Sequence, residues 1–548
     1  MKTRINLISF FLIPLFHILV ALPFFGIWFL PDDFVSIYGS MQNPLKLLFS
    51  REDYALFNRW FFTPLLPLSF KLDWHLFKLN PIGYHFHNYL VILMNAIVIY
   101  KIAKFYLPTF YSLLSSLFFL FSIPAFVNIG ALSWRHYIWG CLFTLLSFYL
   151  YKRFEQTNIR KFLISSIMCY FVAILFKSAF ATLPLAILLL SKLRPSKRIK
   201  ILGIYMCVFL FYLIWRIHIL GGIGGYFFIP SPTVSGSIFT ILFKIPYTIS
   251  KTIWGVPFFI YLIPIGLFIV RKRLGIAIFF LVLISISPFI FTRADESYIF
   301  AAKFILTSAI VALALALLIY YLIKVREGLK NYICLLMCIL ILTLQMINLP
   351  RAFSELNLLS QSIKSTCSIL SSQKIKVIYD PYVWIYNYFY LVKGRPYKRR
   401  LKLIGIGALD KGDFPLDLYL YQKYVGCLSN SDTILIPSKG EILRYRSLKR
   451  AIKEKGKEQT LEVPKIILDC KSNLLKAKIL DKASMGSLRL YLLSQLGEGN
   501  IMFYGVPINK KSFSFPIRKG EVLFFFFVSC DGRFSKPLIF RNQRYLRD

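Results

Sequence analysis

Apolar runs of about twenty residues recur along this 548-residue chain up to about residue 350. A run of that length crosses the ~30 Å hydrocarbon core of a bilayer as a helix. Lipid offers no hydrogen bonds to the backbone, so spanning segments other than closed barrels are helical. Hydrophobic residues make up 57% of the chain, above the ~45–50% typical of soluble domains. The sequence therefore predicts a polytopic α-helical membrane protein.

About eleven spans are predicted from these runs. They cover approximately residues 5–30, 85–105, 109–127, 132–151, 160–176, 179–190, 201–220, the segment after 254 up to 271, 274–291, 299–323 and 332–349. Residues 31–84 form a long first external loop whose short apolar pieces are broken by prolines, so we expect helices along the interface there. Residues 237–254 are predicted to be a second interfacial helix.

The net charge of +41 is interpreted as setting the orientation of the chain in the membrane and as contacting anionic lipid head groups. The sequence has no nucleic-acid-binding motif. Lys2 and Arg4 precede the first run, which predicts a cytoplasmic N-terminus and an uncleaved anchor. The strongest cytoplasmic signal is the group Lys192, Arg194, Lys197, Arg198 and Lys200. An odd number of crossings places the chain beyond residue 350 outside, on the same side as residue 32. The predicted location is the plasma (inner) membrane.

Beyond residue 350 the apolar runs shorten and charges become frequent. Residues 374–380, 433–437 and 521–529 are predicted to be buried strands. We therefore expect a transmembrane catalytic domain over residues 1–350 and an extracytoplasmic soluble domain of mixed α/β class over 351–548. A domain of roughly 190 residues is of ordinary size.

The nine cysteines are scattered singly. Those inside apolar runs are predicted to be small core residues: Cys141, Cys169, Cys207, Cys334 and Cys338. The C-terminal part holds Cys367, Cys427, Cys470 and Cys530, among which a disulfide remains open because sequence alone cannot pair them.

Two adjacent carboxylates, Asp32 and Asp33, directly follow the first apolar run. Side by side the two charges repel each other, which raises the proton affinity of one of them. Such a carboxyl suits a general base, or a clamp for a polar substrate at the membrane surface. The structural alternative is that acidic residues end an apolar run because they are hydrated.

Several charged and polar side chains are predicted to converge on the external face with this pair, since they stand at external span ends or in external loops. They are Asp32, Asp33, Arg59, His85, His87, Arg135, His136, Lys177, Arg216 and Arg293. Two acids among many bases form a site that can hold a phosphate while one carboxylate takes a proton. Singly, each has a structural interpretation, such as snorkelling for Lys177 or helix anchoring for Arg216.

Several stretches carry a family resemblance over about residues 1–300. They are Asp32-Asp33, Arg59-Trp60-Phe61-Phe62-Thr63-Pro64, Asn80-Pro81-Ile82-Gly83-Tyr84-His85-Phe86-His87-Asn88, Phe121-Ser122-Ile123-Pro124 with Ser133-Trp134-Arg135, Lys177-Ser178, and Arg216 with the glycines at 221–225. They resemble the polytopic glycosyltransferases of the GT-C fold, including protein mannosyltransferases, aminoarabinose transferases and tetratricopeptide-bearing members. Three of these stretches depart from the family. Members commonly have Arg-Pro, Arg-Lys-Asp and Lys-Glu where this chain has Arg59-Trp60, Arg135-His136-Tyr137 and Lys177-Ser178. No tetratricopeptide repeat is visible in the sequence.

The resemblance implies an integral membrane glycosyltransferase that uses a polyprenyl-phosphate-linked sugar and inverts the anomeric carbon. By the same resemblance, Asp32 would deprotonate an acceptor hydroxyl or amine, and Asp33 would either support Asp32 or orient the acceptor. A lipid-phosphate leaving group needs positive charge, which Arg59, Lys177, Arg216 and Arg293 could supply. Acceptor or donor positioning is assigned to His85, His87, Asn88, Arg135 and Tyr298.

No cofactor is assigned with certainty. Asp32, Asp33 and His85 could ligate a divalent cation, although nearby basic residues supply the same electrostatic effect. The glycines at 221–225 lack the Lys-Ser/Thr and the strand–helix context of a phosphate loop. The expected partners are the lipid-linked donor, membrane lipids and a protein, lipid or glycan acceptor, with no nucleic acid.

Two other function classes stay open. A transporter or flippase of lipid-linked saccharides would show inverted repeats with helices broken at the bilayer midplane. A polysaccharide polymerase or ligase of another fold needs no acidic pair after the first helix. The sequence shows no inverted symmetry, and the acidic pair favours the transferase.

Overall fold

The computed structural model describes residues 2–41, 44–51, 54, 61–220, 222, 240–289, 297–325 and 330–372, together with the strands between 377 and 541. Its α-helices, numbered α1 to α18 here, are Lys2–Phe25, Pro31–Met41, Pro44–Phe49, Leu65–Phe77, Pro81–Ala103, Thr109–Leu120, Ile123–Gly130, Arg135–Thr157, Arg160–Phe176, Leu183–Leu190, Pro195–Leu220, Ile245–Trp254, Phe259–Val270, Lys272–Ile286, Tyr298–Ala301, Ile305–Val325, Lys330–Ile347 and Leu349–Ser372. Short 3-10 turns occur at Leu132–Trp134, Ser178–Thr182, Ser287–Phe289 and Ala302–Phe304, and a π-helical turn at Thr240–Lys244.

Five helices in the described part are long and apolar enough to cross a membrane: Pro81–Ala103, Pro195–Leu220, Lys272–Phe289, Ala302–Lys324 and Leu336–Ser365. Two bent helix pairs raise the number to seven if each pair is one span. The protein is thus a largely helical membrane protein. The number is below the predicted eleven because several runs form short helices, such as the 17-residue α9 and the eight-residue α10.

The predicted third span is broken rather than straight. Helices α6 and α7 meet at 48° across Phe121 and Ser122, where Pro124 falls in the first turn of α7. Proline has no backbone N–H to donate to the preceding turn, so a new helix begins there. The sequence predicted a continuous helix over 109–127, which is wrong.

A sharper break separates α12 from α13, which meet at 98°. Gly255 ends α12 with φ +69°, a left-handed conformation that glycine adopts without a Cβ penalty. The segment predicted as an interfacial helix before residue 255 is therefore a helix that turns abruptly into the next apolar one. Further along the chain, helix α18 continues to Ser372, beyond the predicted boundary at residue 350.

By internal packing the chain divides into two compact units. The first, called the helical unit here, comprises Met1–Leu30, Phe62–Trp215 and Val234–Ser360. The second comprises Pro31–Phe61, Arg216–Thr233 and Gln361–Asp548.

In the helical unit, α8 and α9 form a helical hairpin that turns at Asn158, whose φ is +58°. Ser147 on α8 donates a hydrogen bond of 2.7 Å to the Ser166 carbonyl oxygen on α9. Helix α5 packs against α6 and α8, and α16 packs against α6, α13 and α14. At the far end of α8, Glu155 accepts hydrogen bonds from Lys152, the Ser191 hydroxyl and the Lys192 amide, which joins α8 to the end of α10.

The second unit contains two sheets. Strands β1 to β13 are Val377–Tyr379, Lys402–Ile406, Thr433–Ile436, Glu441–Arg444, Thr460–Leu461, Ile466–Lys471, Leu474–Ile479, Leu488–Leu496, Asn500–Pro507, Ser512–Pro516, Glu521–Ser529, Phe534–Ser535 and Leu538–Arg541. The larger sheet has the order β4-β3-β1-β2-β9-β8-β11-β12-β5, with β13 paired to β11. Its β3-β1-β2-β9 core is parallel and β9-β8-β11 antiparallel. Strands occur within all three predicted strand segments.

The described cysteines differ in their surroundings. Cys141, Cys338 and Cys367 are buried, and Cys169 is half-buried. Cys207, predicted to be a core residue, is exposed on α11. An apolar helix that faces lipid needs no protein cover, so an apolar run does not by itself place each residue in a core. Cys427 and Cys530 and the side chains of Cys334 and Cys470 lie outside the described part.

Candidate functional site

The acidic pair occupies the first turn of α2, directly after the segment that ends α1. Backbone N–H groups at a helix start favour negative charge. Asp33 is fully buried, whereas Asp32 keeps access to solvent. Desolvation by the surrounding protein raises the pKa of the Asp32 carboxyl above its ordinary value, so this carboxyl holds a proton more readily than a fully hydrated aspartate.

In the helical unit, Arg135 is the centre of a buried polar network. Its guanidinium lies 2.6 Å from Asp73 Oδ2, and its Nε donates to Asn88 Oδ1 at 2.7 Å. Further N–H groups donate to the carbonyl oxygens of Ser69 and Tyr84. Arg135 is 0% exposed. The donors of this side chain thus meet protein acceptors on α4 and α5, which join these helices to α8.

The same network includes His87 and Asn88 from α5. His87 Nδ1 lies 2.7 Å from Asp73 Oδ1, so one carboxylate joins the histidine and Arg135. Asn88 Nδ2 donates to the Asn128 carbonyl oxygen at 2.8 Å, which ties α5 to α7. His87 remains partly exposed, at 18% of its side chain. Of the two residues, only His87 offers an edge that a substrate can reach.

His85 is held between two backbone carbonyl groups. Its Nδ1 lies 2.7 Å from the Ile129 oxygen, and its Nε2 lies 2.7 Å from the Ile27 oxygen. Both nitrogens are therefore occupied by the protein, and the ring is fully buried. Neither nitrogen presents a lone pair to a cation, so the predicted divalent-cation set of Asp32, Asp33 and His85 does not fit. The described residues hold no group of three or more potential metal-ligating side chains.

A cluster of cations and aromatic rings surrounds the start of α8. Lys177 Nζ lies 5.2 Å from the centre of the Tyr137 ring, and Lys303 Nζ lies 5.4 Å from that of Trp134. The charges of both lysines act on His136, whose ring centroid is 4.3 Å from that of Tyr137. We call Trp134, His136, Tyr137, Lys177 and Lys303 the lysine cluster.

Within the lysine cluster, His136 has one nitrogen engaged. Nδ1 faces the Ser133 carbonyl oxygen at 2.9 Å, which favours the tautomer that carries the proton there. Nε2 is buried and has no hydrogen-bond partner among the described residues. Two ammonium groups and an acceptor nitrogen in one place suit a phosphate with a neighbouring hydroxyl group.

Two further predicted residues have distinct surroundings. Arg216 is 9% exposed, and its buried Nε finds no acceptor in the part of the chain that the structure describes. The backbone N–H of Tyr298 donates a hydrogen bond of 2.9 Å to Glu355 Oε2. Burial raises the pKa of the Tyr298 hydroxyl. Glu355 also accepts from Ser297, so Tyr298 is part of a link between α15 and α18. Arg59 and Arg293 lie outside the described residues.

Asp73 and Lys303 are not among the residues that the sequence predicts for the site. Asp73 lies in the predicted external loop over residues 31–84, yet it is the acid that holds Arg135 and His87. A signal existed: a lone acid on the face shared with Leu66 and Phe70, at helical spacing, is an inward-pointing charge. Lys303 also had a signal, because it lies inside the predicted span over 299–323, where charged side chains are rare and usually face the bundle interior.

Comparisons with known proteins leave the chain without an assigned family. No protein-family model matches it, and no curated protein matches it either.

Proposed function

We propose that this protein is an integral membrane glycosyltransferase of GT-C type that transfers a sugar from a polyprenyl-phosphate-linked donor to an extracytoplasmic acceptor. The acceptor class is a protein, a lipid or a glycan. Asp32 is the base, Asp33 supports it, and the transfer inverts the anomeric carbon. The proposal needs no metal ion.

The observation that carries the proposal is the place of the acidic pair. Asp32 and Asp33 stand in the first turn of α2, the helix that follows the first apolar helix, with Asp32 exposed and Asp33 buried. Desolvation also raises the pKa of the Asp32 carboxyl. A general base works best when its pKa lies near the working pH. It is then still largely deprotonated and also has a useful affinity for the proton that it accepts. A merely hydrated aspartate at a helix start would keep its ordinary pKa.

The leaving group supports the same class of reaction. A lipid phosphate that departs with the electron pair of the C–O bond gains charge on its oxygens, and cations stabilise that charge. The lysine cluster offers Lys177 and Lys303, and Arg216 offers a buried N–H without an acceptor among the described residues. Arg59 and Arg293 remain predicted members of the phosphate-binding set.

The reaction proposed is a single displacement. The acceptor O–H or N–H gives its proton to an Asp32 oxygen as the acceptor atom attacks the anomeric carbon. The bond from that carbon to the phosphate oxygen breaks, and the polyprenyl phosphate leaves with the bonding electrons. His87, held by Asp73, and Tyr298 are the proposed positioning groups.

The proposed topology follows the sequence. The chain makes about eleven crossings of the plasma membrane, with the N-terminus in the cytoplasm. The region after residue 350 is a mixed α/β domain on the extracytoplasmic side, where it braces the external loops. Its strand-rich sheets support the α/β class.

Replacing Asp32 with asparagine tests the proposal. Membranes that contain the Asp32→Asn protein are assayed for transfer of a labelled sugar from polyprenyl phosphate, beside donor binding. We expect loss of transfer with donor binding retained, and partial recovery in Asp32→Glu. Full transfer by Asp32→Asn would remove this residue from the mechanism and overturn the proposal.

One observation favours a second candidate, a transporter or flippase of lipid-linked saccharides. Two apolar helix pairs are broken, at 48° and 98°, and broken helices are a feature of transport proteins. Reconstituted vesicles separate the two functions, since a flippase moves the intact lipid-linked sugar across the bilayer without an acceptor. Movement of intact donor that persists in Asp32→Asn would favour the transporter.

A further inference from the structure

An apolar cavity lies within the helical unit, between α5, α8, α10, α14 and α16. Its free volume is about 110 Å³, and its walls are built by residues such as Ile102, Leu145, Leu190, Leu281 and Leu313. None of the residues assigned to the proposed transferase site lines it.

The length of the cavity matches one leaflet of a bilayer. Its lining on α16 runs from Leu306 to Leu317, and on α14 from Leu274 to Ser285. At 1.5 Å per residue, each stretch rises about 16 Å. Half of a ~30 Å hydrocarbon core is ~15 Å. The cavity is therefore long enough for a lipid chain that reaches the middle of the membrane.

The walls present almost no polar atoms to an occupant. The Thr144 hydroxyl donates to the Gly140 carbonyl oxygen at 2.7 Å, and the Ser285 hydroxyl lies 2.8 Å from that of Thr307. These hydroxyl groups are therefore satisfied within or between helices. A hydrocarbon chain fits such walls, whereas a sugar or a charged group would lose its hydrogen bonds there.

One end of the cavity lies where α5 and α10 end and α14 begins. On α5 only Ile99 and Ile102 line it, and α5 ends at Ala103. Leu190 is the last residue of α10, and Leu274 lies in the first turn of α14. At this end the cavity meets the chain segments in which basic residues are concentrated.

Exposed bases follow or precede each of these lining elements: Lys101 and Lys104 on the α5 side, Lys192 and Arg194 after α10, and Arg271, Lys272 and Arg273 before Leu274. Among the described residues near these bases, Glu155 is an acid, and it is engaged by Lys152, Ser191 and Lys192. This end of the cavity, which we call the basic rim, therefore has a strong excess of positive charge.

Tyr106 connects the apolar walls to the basic rim. Its ring lines the cavity, and Lys152 Nζ lies 5.9 Å from the ring centre. Its hydroxyl oxygen is buried and finds no hydrogen-bond partner among the described residues. A buried hydroxyl without a partner is costly, so a missing ligand that accepts its hydrogen bond is expected at this position.

We propose that this cavity binds one acyl chain of an anionic phospholipid from the leaflet at the basic rim. The chain occupies the apolar walls, the phosphate lies among the bases of the rim, and the Tyr106 hydroxyl donates to a headgroup or ester oxygen. By the distribution of basic residues, this is the cytoplasmic leaflet. The site is separate from glycosyl transfer and does not depend on it.

Photo-cross-linking tests the site on the purified full-length protein in mild detergent. The probe is phosphatidylglycerol with a diazirine at the end of one acyl chain, and phosphatidylcholine with the same chain is its control. We expect saturable adducts on peptides of α14 and α16. Unlabelled phosphatidylglycerol should compete roughly tenfold better than phosphatidylcholine, the effect of one strong contact to a charged group.

Two variants identify the contacts. Tyr106→Phe should weaken competition by both phospholipids while cross-linking continues, because its hydroxyl contacts an oxygen that both of them carry. Ala309→Phe, which fills the cavity, should abolish the adducts on α14 and α16, whereas Leu210→Phe on the exposed face of α11 should not. If Ala309→Phe does not fold, the proposal is tested by the positions of the adducts in the native protein and by the competition results for Tyr106→Phe.

Three results would overturn the proposal: adducts that do not saturate, adducts confined to exposed helix faces, or equal competition by the two phospholipids. Better competition by polyprenyl phosphate than by phosphatidylglycerol would also overturn it, and would assign the cavity to an isoprenoid chain.

Discussion

The Asp73 carboxylate lies 2.6 Å from the Arg135 guanidinium, and both side chains are almost fully buried. Asp73 comes from α4 and Arg135 from the first residue of α8, while His87 on α5 contacts the second Asp73 oxygen. The Phe70 ring covers the guanidinium at 4.4 Å. Burying two charges costs several kcal/mol, which this pair recovers only because its remaining donors are also satisfied. The network therefore sets how three helices meet.

Removing one member of this pair should destabilise the helical unit. Arg135→Ala leaves a buried carboxylate without its cation, at a cost of about 3–5 kcal/mol. Thermal unfolding in detergent, followed by the loss of monodisperse protein, measures the change. Lys200→Ala, on the exposed start of α11, is the control and should change little. Equal melting of the two variants would contradict a structural role for Arg135.

The acidic pair should set the pH dependence of transfer. The pKa of Asp32 is raised by burial, so its protonated form persists to higher pH than for an ordinary aspartate. Because the base acts as the carboxylate, kcat/KM should fall as pH drops through this raised pKa, above the ordinary ~3.9. The residual activity of Asp32→Asn should not show this fall of kcat/KM at low pH. A fall at the same pH as in the native protein would contradict the assignment of Asp32 as the base.

The same shift affects stability with a definite sign. A carboxyl whose pKa is higher in the folded protein binds its proton more tightly there. Its stabilising contribution is therefore complete below the unfolded pKa and is lost as pH rises through the folded pKa. Asp32→Asn should remove this dependence, so the difference in melting temperature between the variant and the native protein should grow in favour of the variant as pH rises.

The lysine cluster should govern affinity for the donor phosphate. Lys177→Gln and Lys303→Gln each remove a charge-assisted contact, so kcat/KM should fall by about 10- to 100-fold. Lys177→Arg should retain part of the activity because the charge remains. Lys161→Gln, an exposed control on α9, should leave transfer unchanged. If added salt lowers kcat/KM by the same factor in the native protein and in every variant, the lysines act through general surface charge and not through contact with the phosphate.

Two helical glycines offer a matched pair for packing. A Cβ at Gly140 would overlap the Phe180 ring, whereas a Cβ at Gly203 would meet nothing within 4 Å. Gly140→Ala should therefore cost about 1–3 kcal/mol of stability through overpacking. Gly203→Ala should be neutral or stabilise by roughly 0.5–1 kcal/mol, since alanine favours a helix. Thermal unfolding should give a lower melting temperature for Gly140→Ala and an unchanged or higher one for Gly203→Ala.

The sequence predicted the helical membrane class, strands within all three predicted strand segments and the position of the acidic pair. It could not predict the break between α6 and α7, because Pro124 is compatible with either a kinked helix or a new one. It placed Arg135 and His85 among ligand-binding groups, although both are satisfied by the protein. A polar residue on a predicted span carries no sign of whether its partner is a ligand or another helix.

Hydropathy and residue type act locally, so the sequence by itself determined which segments become apolar helices and where the two acids fall along the chain. Only the tertiary structure decided that Asp73 holds Arg135 and His87, that Lys177 and Lys303 lie over different rings, Tyr137 and Trp134, near the start of α8, and that five helices line a long apolar cavity. These relationships join residues far apart in the chain. Their energies depend on burial and on distances of a few ångströms, which no local pattern contains.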